Sequence, residues 1–365
     1  MAKRSRALLA LAAGAVAVWA AREIPAQMGA RASGARAERV RRSPQFSDGK
    51  FRNSVPASQV TVASAPRLIA ASLADRDRRR PHAPIPVLTP DTGGDHSGLH
   101  ITWYGHSTAL VEIEGRTVLL DPVWSDRCSP SRLAGPKRMH EMPVALGDLP
   151  PLDAVLISHD HYDHLDMASI RALVDLQTVP FLVPLGVGAH LEAWGVPEQR
   201  IVELDWSESR TVNGVEFVAT PARHFSGRGF SRDETLWTSW VIAGPTRKVF
   251  YSGDTGYFPG FAEIGAQHGP FDATLVQVGA YGDAWPDIHM TPEDGVSTHV
   301  DVRGGLMVPV HWGTFNLALH DWAEPVDRVW REAKDRGVDL AVPRPGERVD
   351  VDNPPVVDGW WRDIA

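Results

Sequence analysis

Three histidines and three aspartates are concentrated in the ten residues ISHDHYDHLD, residues 157–166, which follow directly on an apolar run. Within this segment His159, His161, Asp163 and His164 form the pattern H-x-H-x-D-H. Side chains two positions apart in an extended chain point the same way, so His159 and His161 can share one cation. After the turn, Asp163 and His164 can bind a second cation. This spacing predicts metal binding rather than a solvated polar loop.

Three further residues of the same chemical types each follow a short apolar run: His224 in TPARHFSG, Asp254 in YSGDTG and His311 in VPVHWGT. Together with the first cluster they complete two metal sites, with Asp254 as the bridging carboxylate. We predict His159, His161 and His224 on one metal, and Asp163, His164 and His311 on the other. The single cysteine, Cys128, excludes a thiolate cluster and an intramolecular disulfide. Imidazole and carboxylate ligands suit Zn²⁺ best, although iron or manganese can also bind them.

The elements that position these residues alternate along the chain. A hairpin is predicted around the turn signal Glu114-Gly115, within LHITWYGHSTALVEIEGRTVLLDP. Short apolar runs that end in polar clusters follow, and helical stretches such as 167–176 and 325–336 lie between them. Strands mixed with helices over this length indicate an α/β body. A fully apolar strand such as AVLIS is typical of burial on both faces, which places its polar end at a rim of the fold.

Composition and charge bound the class of protein. Of 365 residues, 43% are hydrophobic and 22% are charged, which is typical of a globular protein with an apolar core. Residues 1–90 contain 16 Lys/Arg and 5 Asp/Glu, a net charge of about +11. Because the formal net charge of the whole chain is −8, the remaining residues carry about −19. A basic arm on an acidic body has two interpretations: the arm contacts an anionic surface such as lipid headgroups, or it is simply solvated. We expect no nucleic-acid partner, because the acidic body would repel the phosphate backbone.

The N-terminus has the features of an export signal. Lys3, Arg4 and Arg6 precede the uncharged run from Ala7 to Ala21, which is short for a membrane span and long enough for a signal peptide. We therefore predict an exported or membrane-tethered protein of the cell envelope, peripheral to the membrane. The predicted domains are a signal peptide or N-terminal anchor (1–27), a basic arm that wraps the body or is partly disordered (28–96), a hydrolase domain (97–345) and a C-terminal tail (346–365).

The H-x-H-x-D-H pattern with its later His, Asp and His resembles the metallo-β-lactamase superfamily. The sequence around this pattern is similar to one branch of the superfamily, the N-acylphosphatidylethanolamine-hydrolysing phospholipase D family, over residues 99–345. The stretches that carry this similarity are TWYGHST, LLDPVWSDRCSPSRLAGPKR, LPPLDAVLISHDHYDHLD, FLVPLG, ELDW, LWTSWVIAGP, YSGDTGYFP, FDATLVQVGAY and HWGTF. The resemblance implies an α/β fold of the metallo-β-lactamase type, a four-layer αβ/βα sandwich, and a dinuclear metal centre. It also implies the seven ligands assigned above, and it suggests a homodimer.

The activity that the resemblance implies is hydrolysis of N-acylphosphatidylethanolamine-like phospholipids to phosphatidic acid and N-acylethanolamine. Two zinc ions would lower the pKa of a bridging water toward about 7, and the resulting hydroxide would attack phosphorus. We predict Asp163 and His289 as catalytic residues. His289 matches a family position lining the active site, and either His289 or a metal-bound water would protonate the leaving alkoxide. Trp285, in a loop beside a proline, is our candidate for contact with an acyl chain or a membrane.

Two other readings use the same metal centre. A hydrolase of another ester, for instance a sugar-phosphate lactonase, would need a small closed polar pocket instead of a long acyl-binding groove. A metal-binding scaffold would bind the ions without turnover, although the presence of all seven ligands weighs against it. Two residues near the motifs have a structural and a functional interpretation. Asp121 fixes a turn or orients a metal ligand, and His106 lies near the site with either a structural or a functional role.

Overall fold

The computed structural model of the chain describes residues 23–57, 76–91, 96–229 and 231–365. Most of the predicted signal peptide or anchor lies outside these residues. The α-helices are α1 (Ile24–Gln27), α2 (Gly34–Arg42), α3 (Met167–Leu176), α4 (Gly188–Ala193), α5 (Gly260–His268), α6 (Pro292–Asp301) and α7 (Glu324–Arg336). Short 3₁₀ turns occur at Arg76–Arg79, Leu146–Asp148, Glu198–Arg200 and Trp360–Ile364.

The strands are short, and most of them are apolar. In the N-terminal half they are β1 (Phe46–Ser47), β2 (Lys50–Phe51), β3 (Leu99–Gly105), β4 (Thr108–Ile113), β5 (Arg116–Leu120), β6 (Ala154–Leu156), β7 (Phe181–Pro184) and β8 (Ile201–Leu204). In the C-terminal half they are β9 (Ser209–Val212), β10 (Val215–Thr220), β11 (Ser239–Ala243), β12 (Lys248–Tyr251), β13 (Phe271–Gln277), β14 (Gly304–Val310), β15 (Asp339–Leu340) and β16 (Arg348–Asp350).

Two seven-stranded sheets are formed by the described residues, in the orders β16-β3-β4-β5-β6-β7-β8 and β15-β14-β13-β12-β11-β10-β9. Each sheet has an antiparallel part and a parallel part: β5 to β8 are parallel in the first sheet, and β12 to β15 in the second. Within the second sheet, β10, β12, β13 and β14 consequently run in one direction. Within the first sheet, β3 and β6 do so. The carboxyl ends of these strands supply the polar clusters found in the sequence.

The side chains of β4 show how the layers pack. Ala109, Val111 and Ile113 belong to the core shared with the second sheet, which includes Phe217 of β10. Leu110 between them faces the other way and packs in a separate core with helix α3. This alternation is what a period of two requires when one face meets a sheet and the other meets helices. The apolar faces of α5, α6 and α7 cover the outside of the second sheet in the same manner. The predicted four-layer αβ/βα sandwich is thus confirmed.

The predicted local elements are present. Glu114 and Gly115 both have positive φ, 48° and 80°, and they connect β4 to β5 as a tight hairpin turn. The first predicted helix coincides with α3, and the second begins one residue earlier as α7. All three residues of β6 are buried, as expected for a parallel strand covered on both faces.

Where the structure describes the predicted basic arm, it contacts the body. Arg36 of α2 forms ion pairs with Glu203 at 2.6 Å and Glu192 at 2.5 Å. The Ala30 backbone N–H donates to His190 Nδ1 at 2.9 Å. Residues 58–75 and 92–95 of the arm lie outside the described residues. The arginines of this segment therefore include cations that neutralise carboxylates of the acidic body.

The C-terminal residues predicted as a tail are part of the sandwich. Strand β16 pairs antiparallel with β3 and forms the edge of the first sheet. Trp360 and Trp361 are buried, and both pack around Trp312, which directly follows the predicted ligand His311. None of the helices in the described part of the chain is long and apolar enough to span a bilayer.

Helix α6 begins with a capping box that fixes the chain just after His289. The Thr291 hydroxyl accepts a hydrogen bond from the Asp294 backbone N–H at 3.2 Å, and Asp294 accepts one from the Thr291 N–H at 3.2 Å. Pro292 occupies the first helical position, where its missing N–H costs nothing. The cap thus fixes the path of the chain between His289 and the start of helix α6.

We expect Thr291→Ala to lower the free energy of unfolding by about 1 kcal/mol, because the helix loses its N-cap. Equilibrium unfolding in urea measures this change. Ser33→Ala is the matched control, since Ser33 is the N-cap of α2 and its side chain makes no capping hydrogen bond. Equal effects of the two substitutions would show that the cap contributes nothing.

Candidate metal centre

The loop between β6 and α3 carries four of the predicted ligands and is fixed at both ends. At its start, β6 lies in the middle of the first sheet. At its end, the Asp166 carboxylate caps α3 by accepting from the backbone N–H groups of Ala168 and Ser169. Between them, Asp160 points away from the histidines and accepts from the Gly227 N–H at 2.7 Å and the Thr235 hydroxyl at 3.0 Å. The loop is therefore held rigidly under its metal-binding side chains.

One cluster of ligand atoms comprises His159, His161 and His224. His159 Nε2 lies 2.8 Å from His161 Nδ1, which lies 3.2 Å from His224 Nε2. His224 follows β10, so the second sheet contributes one of the three imidazoles. Its Nδ1 is 2.8 Å from the Ile288 carbonyl, and the opposite nitrogen is consequently free to face the cluster.

The second cluster comprises Asp163, His164 and His311, with His106 beside them. Asp163 Oδ2 lies 3.2 Å from His311 Nε2, 3.5 Å from His164 Nε2 and 2.9 Å from His106 Nε2. His311 follows β14 with a positive φ of 65°, which turns its side chain back over the end of the sheet. His106 follows β3 and lies near the site, as expected for both of its interpretations.

Asp254 joins the two clusters. Its Oδ2 atom lies 3.0 Å from His311 Nε2 and 3.1 Å from His164 Nε2, and 3.9 Å from both His159 Nε2 and His224 Nε2. No other carboxylate within the described ranges approaches both groups of histidines in this way. The two triads and Asp254 thus converge as the spacing predicts; their assignment as ligands is still a prediction.

Unpaired polar atoms show that this cluster fits cations. His164 Nε2 and Asp254 Oδ1 are buried without a hydrogen-bond partner in the described part of the chain, and so is Nδ1 of His289. Buried polar atoms of this kind are costly unless a ligand satisfies them. The donors are imidazole nitrogens and carboxylate oxygens alone, a set that suits Zn²⁺, iron or manganese. The residues therefore fit a pair of divalent cations.

The histidines of the site fall into two groups, one with a lowered and one with a raised pKa. Burial lowers the pKa of His159 and His224 well below the usual value, so both imidazoles are neutral, the form that binds metals. Burial also opposes the charge of His311, but Asp254 and Asp163 together raise its pKa to about 9. For Asp254 burial would raise the pKa, whereas the neighbouring His164 and His311 bring it well below its usual value. A cation at this end must displace a proton from His311, so its affinity rises as the pH increases toward about 9.

Asp121 supports the second cluster from below. The buried carboxylate lies 2.6 Å from His164 Nδ1 and accepts from the Ser158 backbone N–H at 2.7 Å. The Tyr251 hydroxyl donates to it as well. A carboxylate on the far nitrogen fixes the tautomer of a metal-binding histidine and makes it more basic. Of the two interpretations of Asp121, orientation of a ligand therefore accounts for its contacts.

His289 stands at the rim of the site. Its Nδ1 lies 3.9 Å from Asp254 Oδ2, and its ring centre lies 5.2 Å from those of His224 and His311. Its side chain is 14% exposed, as is that of Asp163, whereas those of His164, His224 and His311 have no exposed surface. The two residues predicted as catalytic are thus among those that solvent can reach.

Asn53 is a supporting residue that the sequence did not reveal. Its amide N–H donates to the His224 carbonyl at 2.8 Å, and its amide oxygen accepts from the His224 N–H and from the Trp237 indole N–H, each at 3.0 Å. It lies 171 positions before His224 in the chain. The Asp48-Gly49 pair between Phe46 and Phe51 is a hairpin signal that locates this segment, but nothing in it indicates its partner.

Asn53→Ala removes both hydrogen bonds to the His224 backbone. We expect zinc at the cluster of His159, His161 and His224 to bind about 10- to 100-fold more weakly, the usual effect of losing support behind a ligand. Competition with a chelator of known affinity measures this change. Asn213→Ala, which removes an exposed asparagine paired with Asp153, is the control. Unchanged zinc affinity in Asn53→Ala would contradict the assigned role.

Known proteins share both the sequence pattern and the fold. The beta-lactamase superfamily domain matches residues 116–312. An uncharacterized protein of Mycobacterium tuberculosis is 53% identical over 370 residues, covering 98% of this chain and 99% of that protein. The N-acyl-phosphatidylethanolamine-hydrolyzing phospholipase D 1 of Caenorhabditis elegans is 37% identical over 270 residues, covering 70% of this chain and 76% of that enzyme.

Among solved structures, Igni18, a metallo hydrolase from the archaeon Ignicoccus hospitalis, aligns with a TM-score of 0.54 at 22% identity. The alignment covers 69% of this chain and 97% of that one, and it supports the fold alone. The resemblance inferred from the motifs is confirmed by these matches. The chain belongs to the metallo-β-lactamase superfamily, as a metal-dependent hydrolase related within it to the N-acylphosphatidylethanolamine-hydrolysing phospholipases D.

Proposed function

We propose that this protein is a phospholipase D-type phosphodiesterase that hydrolyses N-acylphosphatidylethanolamine to phosphatidic acid and N-acylethanolamine, with two zinc ions at the candidate metal centre. One observation carries the proposal. The two clusters of ligand atoms converge on Asp254 within a chain that is 37% identical to a nematode enzyme named for this reaction.

We assign one ion to each cluster of ligand atoms. His159, His161 and His224 would bind one ion, Asp163, His164 and His311 the other, and Asp254 would lie between them. When bound, such a pair of cations polarises phosphoryl oxygens and lowers the pKa of water. The buried histidines are held in place, because Asp121 fixes the far nitrogen of His164 and Asn53 fixes the backbone of His224. The substrate phosphate would therefore meet donors that are already oriented.

His289 and Asp163 define the side from which the substrate approaches, since both are partly exposed. Burial lowers the pKa of His289 to about 3, so its imidazole is neutral at pH 7. A neutral imidazole can donate its N–H to a phosphoryl oxygen, whereas it has no spare proton for the leaving alkoxide. We therefore assign His289 the role of a hydrogen-bond donor to the substrate. Asp163, paired with His106, would hold the second cluster in place.

A lipid substrate also agrees with the N-terminal sequence. The uncharged run Ala7–Ala21 and the net charge of about +11 in residues 1–90 favour a membrane surface. We propose on this basis that the protein is exported or tethered in the cell envelope, peripheral to the membrane. Detection of the protein in the membrane fraction of its own cells, released by salt or detergent, tests this location.

The full chain loaded with two equivalents of zinc should convert N-acylphosphatidylethanolamine in mixed micelles into phosphatidic acid and N-acylethanolamine, both followed by mass spectrometry. Asp254→Asn should abolish product and lower the zinc content, because the carboxylate shared by both clusters loses its charge. Asp272→Asn is the matched control, since Asp272 lies near the opposite end of the same sheet and pairs with Arg247. Two bound zinc ions without lipid cleavage would reject the phospholipase assignment and favour the lactonase or the scaffold.

His289→Ala tests the assigned hydrogen bond, because alanine has no side-chain N–H to donate. We expect kcat to fall about a hundredfold, the usual effect of removing one donor to a developing negative charge, with the zinc content unchanged. Steady-state kinetics and metal analysis measure the two effects. Loss of zinc from this variant would show that His289 is a ligand instead, and unchanged kcat would show that it does not contact the reacting phosphate.

A further inference from the structure

Arg228 is a buried cation that the chemistry described so far does not use. It is only 6% exposed, and it lies four positions after the predicted ligand His224. Its guanidinium carbon lies 4.0 Å from the ring centre of Tyr162 and 4.9 Å from that of Trp194. Burying such a charge is costly unless hydrogen bonds compensate the loss of water. The partners of the guanidinium therefore indicate what Arg228 does.

Three backbone carbonyls accept hydrogen bonds from the guanidinium. Nη1 donates to the carbonyls of Asp160 and Leu165, each at 2.7 Å, and Nε donates to the Gln27 carbonyl at 2.8 Å. Asp160 and Leu165 flank residues 161–164, which include three of the predicted metal ligands. Hydrogen bonds from a charged donor are stronger than those between neutral groups. One nitrogen atom thus fixes the distance between the two ends of the ligand-bearing segment.

The two residues of H-x-H-x-D-H that are not predicted ligands bind the same neighbouring stretch of chain. The Tyr162 hydroxyl donates to the Arg228 carbonyl at 2.6 Å. The Asp160 carboxylate accepts from the Gly227 N–H at 2.7 Å. Because this stretch begins only three residues after His224, it connects the ligands of the loop with the ligand that follows the second sheet.

Neither stability nor charge accounts for Arg228. Its Nη2 is buried without a hydrogen-bond partner among the residues that the structure describes, and replacing a buried ion with an apolar side chain is often neutral or stabilising. Its positive charge also interacts with the Asp163 carboxylate, and a fixed positive charge at this range repels divalent cations. The geometry of the loop is the remaining reason, since a planar group with several N–H donors can hold several carbonyls at once.

We propose that Arg228 is a positioning residue of the metal centre, which holds residues 160–165 in the curvature that brings their three ligands to the two cations. The inference rests on the zinc ions of the proposed function and is independent of the substrate. The Gln27 carbonyl completes the arrangement, so a residue that precedes the superfamily domain takes part in it.

Competition between the full-length protein and a chelator of known zinc affinity tests this role. Arg228→Met removes all three hydrogen bonds and should weaken zinc binding about 10- to 100-fold, as expected when the support of a metal ligand is lost. Arg228→Lys keeps the charge without the planar fork and should lie between Arg228→Met and the parent. The direction of the change is decisive, because removing a nearby positive charge would tighten zinc binding if charge alone mattered.

The matched control is Arg200→Met. Arg200 also packs on an aromatic ring, that of Phe181, at 5.3 Å. It also donates to two backbone carbonyls, those of Val179 and Val174, at 2.9 and 3.2 Å. Neither carbonyl belongs to the metal-binding loop, so zinc affinity should be unchanged. Urea unfolding of the zinc-free proteins verifies that both methionine variants are folded.

Cobalt(II) in place of zinc gives a second readout, because its visible absorption depends on the geometry of its ligands. We expect Arg228→Lys to alter the absorption bands and Arg200→Lys to leave them unchanged. Tyr162→Phe, which keeps the ring and loses the hydrogen bond to the Arg228 carbonyl, should weaken zinc binding in the same direction but by less. These two milder variants test the role even if Arg228→Met does not fold.

The inference would be overturned by unchanged or tighter zinc binding in Arg228→Met, by an equal loss in Arg200→Met, or by an unaltered cobalt spectrum in Arg228→Lys. Weakened zinc binding as expected, in a protein whose parent form does not cleave N-acylphosphatidylethanolamine, would reject the proposed function alone. A parent chain that binds no zinc would overturn both proposals.

Discussion

The buried charge of Asp254 is the constraint on which the site depends. A carboxylate with almost no exposed surface is stable only beside compensating charge, and His164 and His311 provide it at 3.1 and 3.0 Å. Those two histidines belong to different sheets, so the compensation requires that the ends of β6 and β14 meet. The sandwich and the metal centre are consequently coupled: a change in how the sheets pack would expose or isolate this carboxylate.

Hydrogen bonds on the side away from the metal-binding atoms hold the histidines of the cluster in place. Asp121 fixes His164, Asn53 fixes the His224 backbone, and the Ile288 carbonyl lies against Nδ1 of His224. These contacts come from three separate parts of the chain, and one of them, Asn53, lies well before the domain that matches the superfamily. The N-terminal segment thus contributes to the metal centre as well as to the charge of the molecule. Its arginines also pair with acidic residues of the body, as Arg36 does with Glu203.

Burial and neighbouring charges differ between the imidazoles inside the metal centre and the residues at its rim. Burial lowers the pKa of His159 and His224, which stay neutral, whereas Asp254 and Asp163 raise the pKa of His311 although it is equally buried. Around the rim, Asp163 and His289 reach solvent. The imidazoles of His164, His224 and His311 are therefore shielded from water, and Asp163 and His289, which would meet a substrate, are accessible.

The resemblance to the metallo-β-lactamase superfamily implied the four-layer class of the fold. The sequence by itself determined the metal ligands as candidates, the hairpin at Glu114-Gly115, helix α3 and an α/β body. These follow from local patterns: residue types at short spacing, turn residues, and apolar runs that end in polar clusters. Tertiary structure alone decided which distant residues support them. Asn53 and His224 are 171 positions apart, and the strand β16, predicted within a tail, completes a sheet edge. Long-range hydrogen bonds and edge pairing depend on the three-dimensional path of the chain, which leaves no periodic signal in its sequence.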